Sequence, residues 1–131
     1  MKKLSETLTE LGIAFTFPIE IKDAKGNYTY FEDSNGFWYR YDYDANGYRT
    51  YYENSNGDWC RWERDAYGNV TYFEDINGFW YTYKYDAHGY ETYYEASNGY
   101  WQRCERDAMG YRTYYENSIG VKESTPESAK T

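Results

Sequence analysis

Glycines stand at positions 26, 47, 68, 89 and 110, and a second series stands at 36, 57, 78, 99 and 120, so each series recurs every 21 residues. A fixed period of this length means stacked copies of one supersecondary unit, and it constrains the fold more than any local motif. The unit reads G-x-x-T-Y-[FY]-E-x-x-N-G-x-W. Its threonines are Thr29, Thr50, Thr71, Thr92 and Thr113, its glutamates Glu32, Glu53, Glu74, Glu95 and Glu116, and its tryptophans Trp38, Trp59, Trp80 and Trp101. Each glycine ends a four-residue turn, D-A-x-G in one series and a DSNG-like sequence in the other. Asp or Asn first and Gly fourth suit a type I turn followed by a left-handed Gly bulge. The segments between turns are rich in Tyr, Phe, Trp and Thr, which favour strands. A mainly β fold is expected: an antiparallel meander of about ten short strands built from hairpin repeats, in a strongly twisted open sheet, with a closed or coiled barrel as the alternative.

With a uniform pairing rule at every turn, Glu32 opposes Trp38, Phe31 opposes Tyr39 and Thr29 opposes Tyr41. Because 21 is odd, consecutive tryptophans are then expected on opposite faces, giving a true period of 42. The strands agree with that longer period: FWYRYDYD and FWYTYKYD alternate with DWCRWERD and YWQRCERD.

The ends differ from the repeats. LSETLTELG predicts a helix over 4–12, with Thr7-x-x-Glu10 as a capping box, Gly12 as the stop, and Leu4, Leu8 and Leu11 on one face. An edge strand is expected over 15–22, where Phe17, Ile19 and Ile21 alternate and Pro18 is tolerated only at an edge. The repeats start at 26, 47, 68, 89 and 110, placing one domain over 1–121. The polar residues 122–131 read as a disordered tail.

The segment DYDANGYRTYYE, residues 42–53, matches an EF-hand calcium loop at Asp42, Asp44, Asn46, Gly47 and Glu53. Aromatic strands flank it where helices are needed. The first ligand position becomes Glu63, Lys84 and Glu105 in later copies, so calcium binding is not expected. Cys60 and Cys104 have no metal-ligand spacing and fall on strands four apart, so no disulfide is expected between them. His88 sits alone in a turn, and no nucleophile–base pair or phosphate-binding glycine loop is visible. The reading is a non-enzyme without metal or cofactor.

With 14 basic and 22 acidic residues the net charge is −8. This disfavours nucleic acid and anionic membranes as direct partners. It suits a basic protein surface, including one that ordinarily holds nucleic acid. Trp38, Trp59, Trp80 and Trp101, with Glu53, Glu63, Glu95 and Glu105, are the candidate partner-binding residues, since rings supply interface anchors and carboxylates can stand in for phosphates. A carbohydrate-binding module using the tryptophans as stacking platforms is the rival, and a structural component is the third reading. No convincing signal peptide or long apolar run is present, which makes a cytoplasmic location the expectation.

At NGFWYRYDYDANG the unit resembles the hairpin repeats of choline- and glucan-binding wall modules, although it lacks their Gly-Trp opening. It also looks like the YD repeats of Rhs-type shells. The strongest likeness, over about residues 17 to 120, is to small aromatic tandem-repeat proteins of bacteriophages with YENSNG-x-W and YDANG units. That resemblance implies a phage-encoded protein acting in the host cytoplasm as an inhibitor of a host defence or nucleic-acid-handling protein.

Overall fold

A computed structural model describes residues 2–124. One helix, α1 (Leu4–Glu10), precedes eleven strands: β1 (Ile19–Lys22), β2 (Tyr28–Glu32), β3 (Trp38–Tyr43), β4 (Arg49–Asn54), β5 (Trp59–Arg64), β6 (Val70–Asp75), β7 (Trp80–Tyr85), β8 (Glu91–Ala96), β9 (Trp101–Arg106), β10 (Arg112–Asn117) and β11 (Lys122–Ser124). The strands follow chain order in one open antiparallel sheet, not a closed barrel. They fall into two compact units divided within β5, between Arg61 and Trp62. The eleventh strand corrects the expected tail. Lys122 pairs with Glu116 and Ser124 with Tyr114, because Gly120 closes one more hairpin of the repeat. The rest of that tail, 125–131, lies outside the described residues.

The turns follow from their first residue. In the first DSNG-type turn, Asp33 Oδ1 accepts the amides of Asn35 and Phe37 at 2.9 and 3.0 Å. Gly36 N–H returns to the Asp33 carbonyl at 3.2 Å. Gly36 has φ 89°, a left-handed conformation that a β-carbon would strain. D-A-x-G turns close the same way, with Asp44 Oδ1 accepting from Asn46 and Tyr48.

Glu32 opposes Trp38 and Phe31 opposes Tyr39, as expected. Consecutive tryptophans, however, do not alternate between faces. Trp38 shares a face with Arg40, which opposes Glu53, which in turn opposes Trp59. The cause is one β-bulge per repeat. Asp42 pairs with Tyr51 but Tyr43 pairs with Arg49, so Thr50 is an extra residue. Register shifts likewise skip Thr29, Thr92 and Thr113. One uncounted residue makes each odd repeat even in side-chain parity. The repeated threonine is the bulge residue, and its hydroxyl donates across the strand pair: Thr29 to the Ile21 carbonyl at 3.2 Å, Thr92 to that of Lys84 at 3.3 Å.

The aliphatic ends meet in the first unit. Ile19, Tyr30 and Trp38 are buried, and Leu4, Leu8 and Phe15 pack on them. α1 thus covers the tryptophan face of β1–β3. The expected capping box is absent, because Thr7 lies inside the helix. The sheet itself caps the helix: Glu32, 1% exposed, accepts the Ser5 amide at 3.0 Å, the Tyr30 hydroxyl at 2.8 Å and the Ser5 hydroxyl. At the other end Gly12 N–H reaches Thr9 O and Ile13 N–H reaches Leu8 O, a Schellman stop. Leu11, past the last helical residue, is 66% exposed and not on the packed stripe. The edge strand begins at Ile19 rather than 15, and Phe17 lies outside it against Phe15.

Candidate aromatic binding surfaces

Parity from the bulges gives each unit one face of Trp, Glu and Arg, with Tyr30 and Tyr51 on it in the first unit and Tyr72 and Tyr93 in the second, and one face rich in Tyr and Phe. On the first, the predicted site residues do come together. Trp38, Glu53 and Trp59 share it in the first unit, and Trp80, Glu95, Trp101 and Glu105 share it in the second. Glu63 follows Trp59 and Arg61 on the same side of β5 by strand alternation.

Their availability differs. Trp38 is 7% exposed beneath the helix and stacks on Tyr30, so it offers no ring to a partner. Trp59 is half-buried and stacks on Tyr51 with centroids 6.5 Å apart. Arg40 bonds Glu53 at 2.5 Å and Asp42 at 3.2 Å. These are two of the carboxylates of the apparent EF-hand loop, while Asp44 accepts backbone amides, so the three carboxylates are engaged by the sheet and the turn. Glu95 accepts the Tyr93 hydroxyl at 2.8 Å, and Arg103 pairs with Glu116. That hydrogen bond holds the Glu116 carboxyl below its ordinary range and raises the Arg103 guanidinium. Much of this face therefore satisfies its own charges.

The opposite face is a ring cluster. In the first unit Phe31 stacks on Tyr39 at 5.0 Å, Tyr39 meets Tyr41 at 5.5 Å, and Tyr41 meets Tyr52 at 5.0 Å. In the second, Trp62 meets Phe73 at 5.7 Å, Phe73 stacks on Tyr81 at 4.9 Å, and Tyr83 meets both Tyr81 and Tyr94 at 5.3 and 4.9 Å. These rings are half-buried. Burial pushes the hydroxyls of Tyr39, Tyr83 and Tyr85 above the ordinary tyrosine range, so at neutral pH they remain protonated donors. Sequence reasoning missed this surface because a uniform pairing rule without the bulge puts Tyr51, and not Tyr52, on the side of Tyr39 and Tyr41.

Two open grooves border the tyrosine face, 42 residues apart in sequence. One, of about 500 Å³, is lined by Asp23, Lys25, Tyr41, Tyr43 and Asp44. The other, of about 670 Å³, is lined by Asp65, Tyr67, Tyr83, Tyr85 and Asp86. Among the described residues no cluster of His, Cys, Asp and Glu is arranged to hold a metal. His88 lies in a turn with its ring 6.3 Å from that of Tyr90. Neither Cys60 on β5 nor Cys104 on β9 is in a disulfide. No described helix is long and apolar enough to cross a membrane.

No family model matches the sequence, and no curated protein matches it. Solved structures do resemble the fold. The Photorhabdus luminescens Tc holotoxin pore matches at 18% identity over 76% of this chain, with a TM-score of 0.57. A TcdB2–TccC3–Cdc42 structure matches at 19% identity over 86%, with a TM-score of 0.58. The chain spans about 5% and 6% of those chains. At such identity the likeness bears on the repeated β fold alone.

Proposed function

We propose that the chain is a non-catalytic binding module for a protein with a basic surface, and that the tyrosine face of each unit is its contact surface. The observation carrying this is the continuous cluster Phe31–Tyr39–Tyr41–Tyr52, repeated as Phe73–Tyr81–Tyr83–Tyr94. Tyrosine offers a large, rigid, amphipathic contact with only two side-chain torsions to order, which is why it dominates paratopes and interface anchors. The net charge of −8 supplies long-range attraction to a basic partner. The phage resemblance makes a host defence or nucleic-acid-handling protein, met in the cytoplasm, the partner class, with the module acting as an inhibitor. The Trp, Glu and Arg face is then a stabilising surface, except where Glu63 and Glu105 remain exposed at strand ends.

The test is affinity purification from bacterial lysate with the wild type and a Tyr39→Ala/Tyr83→Ala variant, each checked for an intact fold. Recovery of a basic protein, released by high salt and lost in the variant, is the expected result. Retention on glycan or peptidoglycan with no protein partner would overturn the proposal in favour of a carbohydrate module.

A further inference from the structure

The period of 42 has a physical basis in the spaces between neighbouring D-A-x-G turns. Between the turns at 86–89 and 107–110 the space is filled by the chain itself. Arg106 donates from Nη1 to the Gly110 carbonyl at 3.1 Å and from Nε to the Glu91 carbonyl at 3.4 Å. Its guanidinium lies 5.5 Å over the Tyr90 ring, and Tyr90 packs within 3.0 Å of where a β-carbon on Gly110 would stand.

One repeat earlier, between the turns at 65–68 and 86–89, the occupants change. The residue matching Arg106 is Tyr85, whose shorter reach ends at the Val70 carbonyl, 2.7 Å away, the counterpart of Glu91. The residue matching Tyr90 is Asn69, and a β-carbon on Gly89 would meet open space. The groove of about 670 Å³ is what these two exchanges leave. It keeps the turn backbone, adds the rings of Tyr67, Tyr83 and Tyr85, and is flanked by Asp65 and Asp86. Both aspartates are held by turn amides through Oδ1, and Asp65 Oδ2 also accepts the Asn69 side-chain amide at 3.3 Å. A carboxylate fixed this way keeps acceptor capacity for a further donor. Lys84 also lines the groove, but its ammonium sits 5.5 Å over the Tyr93 ring on the other face. In the corresponding groove of the first unit, Lys25 stands where Tyr67 does and donates to the Ala45 carbonyl at 2.7 Å, bridging the two turns with a cation of the chain's own.

We propose that the groove between the turns at 65–68 and 86–89 is a subsite for an arginine side chain of the partner, which takes the place that Arg106 fills in the next repeat. A planar guanidinium suits it because it can stack on a tyrosine ring while donating to carbonyl and carboxylate oxygens in its plane. This deepens the basic-partner reading and rests on it, naming the chemistry by which such a surface would be held.

The probe is a blocked single arginine, N-acetyl-arginine methylamide, titrated at low salt and followed by NMR at the Tyr67, Tyr83 and Tyr85 rings and the Gly89 amide. The expected result is saturable shifts there, about fivefold weaker with the blocked lysine analogue. Tyr85→Arg should abolish them by filling the groove from within, as Arg106 does, without loss of melting temperature. Should that variant misfold, Tyr67→Ser, at a side chain 84% exposed, serves instead and should weaken binding about fivefold. Equal shifts with the lysine analogue, no saturation, or undiminished binding in the filled or Tyr67→Ser variant would overturn the proposal. If a lysate partner is still captured through the tyrosine face while the groove ignores arginine, the subsite fails and the binding-module reading stands. Arginine binding with no basic partner recovered leaves the subsite and removes that reading.

Discussion

The same glutamate of the repeat behaves differently at the two ends of the chain. At position 32 it is buried beneath α1, holding Ser5 and Tyr30. At position 116 it is paired with Arg103 on a face that no described helix covers. The residue opposite decides which: Ile19 opposes Glu32, whereas Arg103 opposes Glu116. With an aliphatic neighbour the carboxylate requires another partner, and the Ser5 amide and hydroxyl at the helix N-terminus, with the Tyr30 hydroxyl, supply it. The covered hairpins β1–β3 are thus a small layered core. The uncovered strands are a single layer held by cross-strand rings and ion pairs, each contributing roughly 0.2–1 kcal/mol. Repeated sequence does not imply repeated energetics.

The largest expected effect asks whether the two faces differ even where nothing covers them. Inserting an alanine between Thr92 and Tyr93 adds one paired residue to β8 and inverts every later side chain relative to β7. Tyr94 would leave the ring cluster and Glu95 would enter it. Loss of cooperative unfolding and of dispersed amide NMR signals is expected. An insertion variant with wild-type melting would show the uncovered faces to be interchangeable.

Next comes a paired tryptophan test. Trp38→Ala should cost about 3–5 kcal/mol, since the ring is buried against Tyr30, Ile19 and the helix. Trp101→Ala, at the same repeat position but half-buried, should cost about 1–2 kcal/mol. Urea denaturation of the two variants measures the gap directly. Equal costs would mean that the helix adds little to the first hairpins.

Much of this architecture was legible in the sequence. The turns were, because Asp or Asn at the first position and Gly at the fourth each have one mechanical role. The helix was as well, although its cap was not, because Glu32 is distant in sequence and the local Thr7–Glu10 pattern drew attention instead. The bulge left a visible mark in the recurring threonine but no parity signal, since a bulge shows in pairing and not in composition. That one unseen residue per repeat misassigned the faces. It placed Trp38 and Trp59 apart and hid the ring cluster of Tyr39, Tyr41 and Tyr52. The burial of Trp38 was not legible either, because nothing in its own repeat tells that Leu4 and Leu8 lie over it.

Acid should separate the two glutamates more gently. At Glu32 burial pushes the carboxyl up, but the Ser5 hydroxyl and amide and the Tyr30 hydroxyl outweigh it, so the folded value lies below that of a free glutamate. Tyr30, buried beside it, is pushed up to about 12. A depressed carboxyl contributes stability that is complete above its unfolded value, near 4.5, and is lost as pH falls through the folded one. Glu32→Gln should therefore flatten the wild-type loss of melting temperature below that pH. Glu32→Ala, which strands the buried donors, should cost about 1–3 kcal/mol at neutral pH. For Glu116→Gln, adding salt to the wild type should reproduce most of the effect, because its partner is exposed and screened. An unchanged acid slope in Glu32→Gln would mean the helix clamp is not the titrating contact.

The smallest effect is a gain, and it falls in the uncovered region. Four turns of the second glycine series begin with Asp or Asn, at 33, 54, 75 and 117, but the remaining one, the fourth in chain order, begins with Ala96. At Asn54 the side-chain oxygen accepts the amides of Asn56 and Asp58, and its nitrogen donates to the Tyr52 hydroxyl at 3.0 Å. Asn117 repeats this, including a 3.1 Å donation to Tyr115. At Ala96 that arrangement is missing, and Asn98 accepts the Tyr100 amide instead. Ala96→Asn should restore it, with Tyr94 standing where Tyr52 and Tyr115 stand in their repeats. Ala96 is 3% exposed, so the added amide must fit beside the Tyr81 and Tyr94 rings, as Asn54 does beside Tyr39 and Tyr52. A gain of about 0.5–1 kcal/mol is expected, read as a higher urea midpoint with an unchanged slope. A loss would show that the ring cluster of the second unit is packed more tightly than that of the first, and that the two tyrosine faces are not equivalent surfaces.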